Sequence, residues 1–267
     1  MRDMPAKIKK INFQAYSVER IADRPKLSAK LKLSAIRYPL NAKTFWILIF
    51  ASCILHFNCY AAPCYGTKLP EKKGVFIGTQ THAIFKRYLE NEFGKVRSLQ
   101  HFLLLSYGVF DWLAIDLKGG AGYIKQRPVT SAEVDYPTNF AGGYGFRLKF
   151  YDKEDLKMVF GFQHISVHPH SVHLGTVKNR AVLDDWQYSL LASKDIFKVT
   201  PYLGARWSRV DYIHWTGPDR KRVMSDLTKS MGLICGIDIP VGKKAWVNLE
   251  GEFLDSEAFA FSLNYNF

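Results

Sequence analysis

Apolar and polar residues alternate through most of the chain after Gly74, the period-two spacing that puts successive side chains on opposite faces of a β-strand. The pattern is cleanest at the end of the chain. There Phe259, Phe261, Leu263, Tyr265 and Phe267 take one face, while Ala258, Ala260, Ser262, Asn264 and Asn266 take the other. Just upstream, Val247, Leu249 and Phe253 oppose Asn248, Glu250 and Glu252. Further back, Phe140, Tyr144, Phe146, Leu148 and Phe150 oppose Arg147 and Lys149, and Leu113, Ile115 and Leu117 oppose Asp116 and Lys118.

This pattern predicts ten strands, near 74–85, 97–109, 112–126, 139–151, 156–168, 184–193, 199–214, 226–239, 244–254 and 257–267. The connections at 110–111, 152–155, 194–198 and 240–243 are short and turn-like, whereas those at 86–96, 127–138, 169–183 and 215–225 are longer and polar. Short and long connections alternate, and only the last, 255–256, is short where a long one is due.

The even strand count and the two classes of connection describe an all-β fold over residues 74–267, an antiparallel up-and-down transmembrane β-barrel of about ten strands. A sheet in lipid has to close, because an open edge leaves backbone N–H and C=O groups without partners. The charged face then lines the lumen and the apolar face meets lipid, with Tyr and Trp at the interfaces. A soluble barrel of the lipocalin kind shows the same alternation with the two faces exchanged.

The end of the chain bears on that choice. Its alternating aromatics, closed by Tyr265-Asn266-Phe267, resemble the terminal strand of bacterial outer-membrane β-barrels. The resemblance implies an integral outer-membrane protein recognised through Phe267 by the barrel-insertion machinery. Ten strands make a narrow barrel, and large charged side chains in its lumen are expected to fill it, which argues against a general porin.

The first 61 residues read as a targeting segment. Phe45 to Phe57 is a run of thirteen mostly apolar residues after a Lys/Arg-rich stretch, followed by Cys59-Tyr60-Ala61, in the form of a secretory apolar region and cleavage site. Residues 62–73 are then a short periplasmic segment. Cleavage after Ala61 leaves Cys64 and Cys235, too few and too far apart for a disulfide framework. No apolar stretch reaches the roughly 18 residues of a membrane-spanning helix, which excludes a helical transporter.

The formal net charge of +13 divides unevenly. Residues 1–61 hold 11 Lys and Arg against 3 Asp and Glu, and the remaining 206 residues hold 26 against 21. The body therefore lacks the clustered basic face of a nucleic-acid-binding protein. Its expected partners are outer-membrane lipids, including lipopolysaccharide, and the basic cluster Asp219-Arg220-Lys221-Arg222 lies in a long external connection. A monomer without cofactors is expected.

Four of the eight histidines fall within ten residues, His164, His168, His170 and His173. The alternation through Met158, Phe160 and Phe162 puts His164 and Ser166 on the lipid-facing side, and that through Trp186, Tyr188 and Leu190 does the same for Asp184. Antiparallel neighbours can then join the three near the outer rim. This set resembles the lipid A deacylase family of outer-membrane barrels, which carry a His-x-Ser pair and an acidic partner facing the lipid. The resemblance implies Ser166 as nucleophile, His164 as base and Asp184 as the group that orients it, acting on an acyl ester. The sequence departs from that family at Val167, where Asn is expected, and at Asp184, where Glu is usual.

Two further arrangements are open. His168, His170 and His173 have a spacing that lets loop imidazoles converge on a transition metal. The strand number also resembles the omptin surface proteases, which implies acidic residues and an Asp–His pair at the barrel top; Asp184, Asp185, Asp211 and His214 are the candidates here.

Overall fold

The computed structural model describes residues 65–267. The expected leader over 1–61, its cleavage position and Cys64 lie outside the described residues.

Twelve strands form one sheet: β1 (Val75–Tyr88), β2 (Lys95–Phe110), β3 (Leu113–Arg127), β4 (Val134–Lys153), β5 (Leu156–Val167), β6 (Val172–Leu174), β7 (Val177–Lys194), β8 (Thr200–Thr216), β9 (Asp219–Met224), β10 (Met231–Pro240), β11 (Ala245–Phe253) and β12 (Ser256–Asn266). Ten of them close into a barrel in the order β1-β2-β3-β4-β5-β7-β8-β10-β11-β12, with β12 returning to β1 through pairs such as Thr81↔Phe261 and Thr79↔Leu263. Each wall pairing is antiparallel. The short strands β6 and β9 extend two hairpins, pairing with β7 and β8 respectively.

The wall is apolar outside and charged within. Leu103 and Phe140 are 60% and 59% exposed on the outer face, and Phe259, Phe261 and Leu263 are also exposed, whereas Asp116 and Glu252 are 0% exposed inside. A soluble protein does not offer water so continuous a greasy surface, and charges survive inside a barrel only in pairs. Here they are paired. Arg147 binds Asp116 at 2.9 Å, and Arg206 holds both Glu252 and Asp255. Aromatic side chains ring the end where β1 begins and β12 ends, with Phe110 stacked on Trp112 and Phe150, Tyr151 and Phe197 exposed nearby, as befits a membrane interface.

The segment before β1 turns into that end of the lumen. Tyr65 and Thr67 are buried. The Arg147 guanidinium donates to the Lys68 carbonyl at 2.6 Å, Thr67 bonds Ser193, and the Lys118 ammonium lies over the Tyr65 ring at 4.0 Å.

At the far end the inward face changes character. Ile84, Val96, Ile124, Ile165, Val167, Leu183, Val210 and Tyr212 all point inward there and pack as one apolar cluster with Leu89, Tyr136 and Val223. The expectation of a charged inner face holds only for the lower part of the lumen. The reason is that the upper strands rise out of the lipid, where water takes over the outer face and the fold buries apolar residues inside, as any soluble sheet does.

The same change of solvent explains a second difference. Strand β7 runs 18 residues, well beyond the expected 184–193, because outward positions such as Arg180 and Lys178 are polar in its upper part and hide the alternation; β8 ends two residues past the expected 199–214. The β11–β12 hairpin, with its short connection, stays low. The gap above it is closed by β9, whose end meets β1 through the Leu89↔Ser225 bridge and the Glu90 N–H to Met224 carbonyl bond. The strand expected to start at 226 begins at Met231, since Asp226 accepts from the Thr228 amide and starts a turn of 3-10 helix over Leu227–Lys229.

Candidate functional site

Three rows of outward-facing residues cross strands β3 to β9 where the apolar band ends. The lowest runs Leu117, Tyr144, His164, Trp186, Arg209. The middle row runs Gly119, Gly142, Ser166, Asp184, Asp211, Met224. The upper one holds Phe140, His168, Val182, Ile213 and Arg222, the His168 amide donating to the Phe140 carbonyl at 2.8 Å. Residue parity fixes this, since 164, 166 and 168 are alternate positions of one extended segment.

The register thus brings Ser166 and Asp184 face to face, and the Ser166 hydroxyl donates to the Asp184 carboxylate in a short hydrogen bond. A hydroxyl has one proton to give, so the second contact, 2.7 Å from Ser166 Oγ to His168 Nε2, has the imidazole N–H as donor. His164 stands on the other side. Its ring lies against Trp186 with centroids 4.0 Å apart, and its Nε2 is 3.8 Å from the Asp184 carboxylate, beyond hydrogen-bond reach.

The three residues singled out in the sequence therefore share one patch, with Asp184 bonded to the hydroxyl and not to the His164 imidazole. Sequence reading placed His168 among the metal candidates, and the structure places it against Ser166. The signal was available: His168 has the same parity as Ser166, and the extended backbone continues past Val167.

The neighbouring surface has two features with chemical consequences. Toward β3, the ring of Phe140 lies over Gly142, 3.1 Å from where a Cβ would stand. At Gly119, one strand further from Ser166, the wall is open and an added Cβ would meet nothing within 4 Å. Exposed Phe140 and Tyr144 flank this opening. Toward β9, the Asp211 carboxylate is covered by two guanidiniums, Arg209 at 3.2 Å and Arg222. Above these lies a cross-strand row of Arg180, Trp215 and Arg220. The guanidinium carbons of Arg180 and Arg220 stand 5.2 Å and 5.6 Å from the Trp215 ring centre, within cation–π range.

Among the described residues, no three His, Cys, Asp or Glu side chains group closely enough to hold a metal ion. His168 turns down to Ser166, the His170 amide is tied to Pro137, and His173 sits on β6 opposite Lys178. Of the acidic and histidine residues at the barrel top, Asp185 faces the lumen and accepts from Ser208, while Asp211 faces outward under Arg209 and Arg222. His214 stacks on Tyr212, with ring centres 5.5 Å apart.

No family model and no curated protein matches the sequence. Among solved structures the chain is similar to the translocator domain of the autotransporter NalP from Neisseria meningitidis, at 12% identity over 85% of this chain and 95% of that one, TM-score 0.41. It is similar also to Ail, the attachment invasion locus protein of Yersinia pestis, at 9% identity over 73% of this chain and 99% of that one, TM-score 0.36. The outer membrane protease OmpT from Escherichia coli is a third, at 13% identity over 73% of this chain and 94% of that one, TM-score 0.36. By the distribution of its own side chains, apolar on the wall and charged within, the chain is an integral outer-membrane β-barrel.

Proposed function

We propose that this protein is a non-conducting surface barrel: the lumen is a packed interior, and the functional surfaces are its outer wall and external hairpins. The observation that carries this reading is the Arg147 side chain. It spans the lower lumen from the Asp116 carboxylate to the backbone carbonyls of Lys68 and Tyr65, so one buried cation fastens the entering segment to the wall. Above it the apolar cluster fills the far end. An ion crossing the barrel would have to separate buried charge pairs and then enter a greasy cap, each step costing several kcal/mol. Planar-bilayer recording tests this. The purified barrel is expected to give no stepwise conductance, and a reproducible open state would overturn the reading.

A second reading, a lipid-facing serine esterase, is favoured by the Ser166 row. Ser166 donates to a carboxylate, the hydrogen bond that activates a hydroxyl, with an imidazole N–H on its other side, and the outer wall is open at Gly119 beyond the Phe140 ring. In such a reaction the Ser166 oxygen attacks an ester carbonyl while its proton passes to the Asp184 carboxylate. The leaving alcohol takes that proton back, and water then releases the acyl group from Ser166. The His168 N–H, now freed from the hydroxyl, is placed beside the developing oxyanion. An acyl chain needs no exit from the bilayer to reach this wall. Mass spectrometry of envelope lipids with and without expression tests it: loss of one acyl chain is expected, and unchanged lipids at verified surface expression would overturn it.

A further inference from the structure

The guanidiniums of β7, β8 and β9 form a ladder on the outward wall. Arg209 is level with Trp186, Arg222 lies two rows higher, and Arg180 and Arg220 flank Trp215 another row above. Arg180, Arg220 and Arg222 are exposed. The four cations on these rows face two carboxylates, Asp184 and Asp211. Asp184 is occupied by Ser166 and Asp211 is shared by Arg209 and Arg222. Neither Arg180 nor Arg220 enters an ion pair among the described residues. Their partner on the protein is an indole face, which orients a guanidinium and leaves its N–H fork open.

We infer that this wall binds the headgroup of a phosphorylated glycolipid of the lipopolysaccharide class, its phosphates taken by Arg209 and Arg222 near the interface and by Arg180 and Arg220 above. Charge selects the chemistry, since guanidiniums match phosphate oxygens in paired N–H···O bonds. Height selects the lipid. From Trp186 to Arg180 is six residues, about 20 Å along a strand at roughly 3.3 Å per residue, or about 15 Å along the membrane normal at the usual tilt. The headgroup layer of a glycerophospholipid is about 5–8 Å deep per leaflet. A phospholipid therefore reaches only Arg209 and the residues beside it. An anionic headgroup that climbs the whole ladder carries phosphates at more than one level. This site stands whether or not Ser166 reacts, because neither Arg180 nor Arg220 touches it.

The test is equilibrium binding of the full-length barrel in neutral detergent to three probes: a rough-type lipopolysaccharide, the same lipid stripped of its phosphates, and phosphatidylglycerol. The intact lipopolysaccharide is expected to bind about tenfold more tightly than its dephosphorylated form. In Arg180→Gln/Arg220→Gln that preference should fall severalfold, the part owed to Arg209 and Arg222 remaining, with the heat-modifiable gel mobility of a folded barrel retained; an undiminished preference would overturn the inference. Both substitutions lie on exposed hairpin extensions, and Arg220→Gln alone serves if the double variant misfolds. Equal affinity for the two lipopolysaccharide forms, or phosphatidylglycerol bound as tightly as the intact form, overturns the inference.

Discussion

Ser166 and Asp184 are direct cross-strand partners on the outward side of β5 and β7, and the serine hydroxyl donates its hydrogen bond to that carboxylate. The order of the set is therefore carboxylate, hydroxyl, imidazole. In a Ser-His-Asp triad the imidazole stands in the middle. This difference separates the two histidines. Lipid mass spectrometry should show deacylation lost in Ser166→Ala and reduced about 10²-fold or more in His168→Ala, the usual scale for one positioned acid, base or oxyanion donor. His164→Phe, which keeps the ring against Trp186, should retain most of it. Full loss in His164→Phe with activity kept in His168→Ala would restore His164 as the base.

The open stretch of wall near Ser166 lies at Gly119, beyond the Phe140 ring that covers Gly142. Gly119→Leu adds a branched side chain where there is open space, so it should fold normally and fill that opening. Deacylation is expected to fall by at least tenfold with unchanged melting, read by the same lipid profile and by gel mobility. Gly142→Leu is the harsher change, since its Cβ would come within 3.1 Å of the Phe140 ring, and it should lose stability as well.

The ten wall strands and their in–out assignment were legible because lipid enforces one rule, apolar outside, over residues such as Ile115, Leu117, Phe259 and Phe261. Where the wall leaves the lipid, that rule lapses. Arg180 and Asp184 face outward while Leu183 and Val210 turn inward, so the first seven residues of β7 and the last two of β8 carried no clean period and read as loop. The candidate site was legible in part for the same reason. Parity placed Ser166, His164 and Asp184 on one face, but which imidazole meets the hydroxyl is a matter of side-chain reach. The Arg180–Trp215–Arg220 row needed the register of two hairpins that the sequence did not reveal as strands.

Arg147 is the residue on which the closed lower lumen depends. Arg147→Met removes its bonds to Lys68 and Tyr65 and leaves the Asp116 carboxylate buried without its cation. Breaking one side of a buried pair costs about 3–5 kcal/mol. A urea midpoint in detergent or vesicles should fall accordingly. Replacing both partners, as in Arg147→Met/Asp116→Leu, should recover much of that stability while removing the Arg147 tie and leaving the segment held by Thr67–Ser193 and Lys118 over Tyr65. A rise in bilayer conductance in the double variant would identify the Arg147 contacts as part of the closure.

The turn at Asp226 offers a pH effect whose sign can be worked out. The Thr228 hydroxyl and amide both donate to its carboxylate, and the hydroxyl bond foremost holds the group below the ordinary range. A carboxyl with a depressed folded pKa stabilises the turn above its unfolded value, about 3.9, and loses that contribution as pH falls through the lower folded value. Amide exchange at Thr228 should therefore stay slow at neutral pH and quicken in acid, relative to the trend for an exposed amide. In Asp226→Ala it should be fast throughout, with no such acid transition.

Asp255 makes the strongest case for a single carboxylate holding the wall together. It lies in the low β11–β12 hairpin, fully buried, and accepts from Arg87 of β1 at 2.7 Å and from Arg206 of β8 at 2.8 Å. The hairpin is short because its turn is folded onto these two cations beneath the apolar cap. Asp255→Ala would leave two guanidiniums facing each other with Glu252, the nearby buried Asp185, and neutral partners such as Ser256, Ser225 and Gln187. A loss at or above the 3–5 kcal/mol of one broken buried pair is expected. Asp255→Asn keeps the shape and two hydrogen-bonding atoms but not the charge, so it should lose less than alanine. Urea unfolding of both variants decides it: equal, small losses would mean that Glu252 and Asp185 suffice to neutralise the pair and that Asp255 serves only the turn.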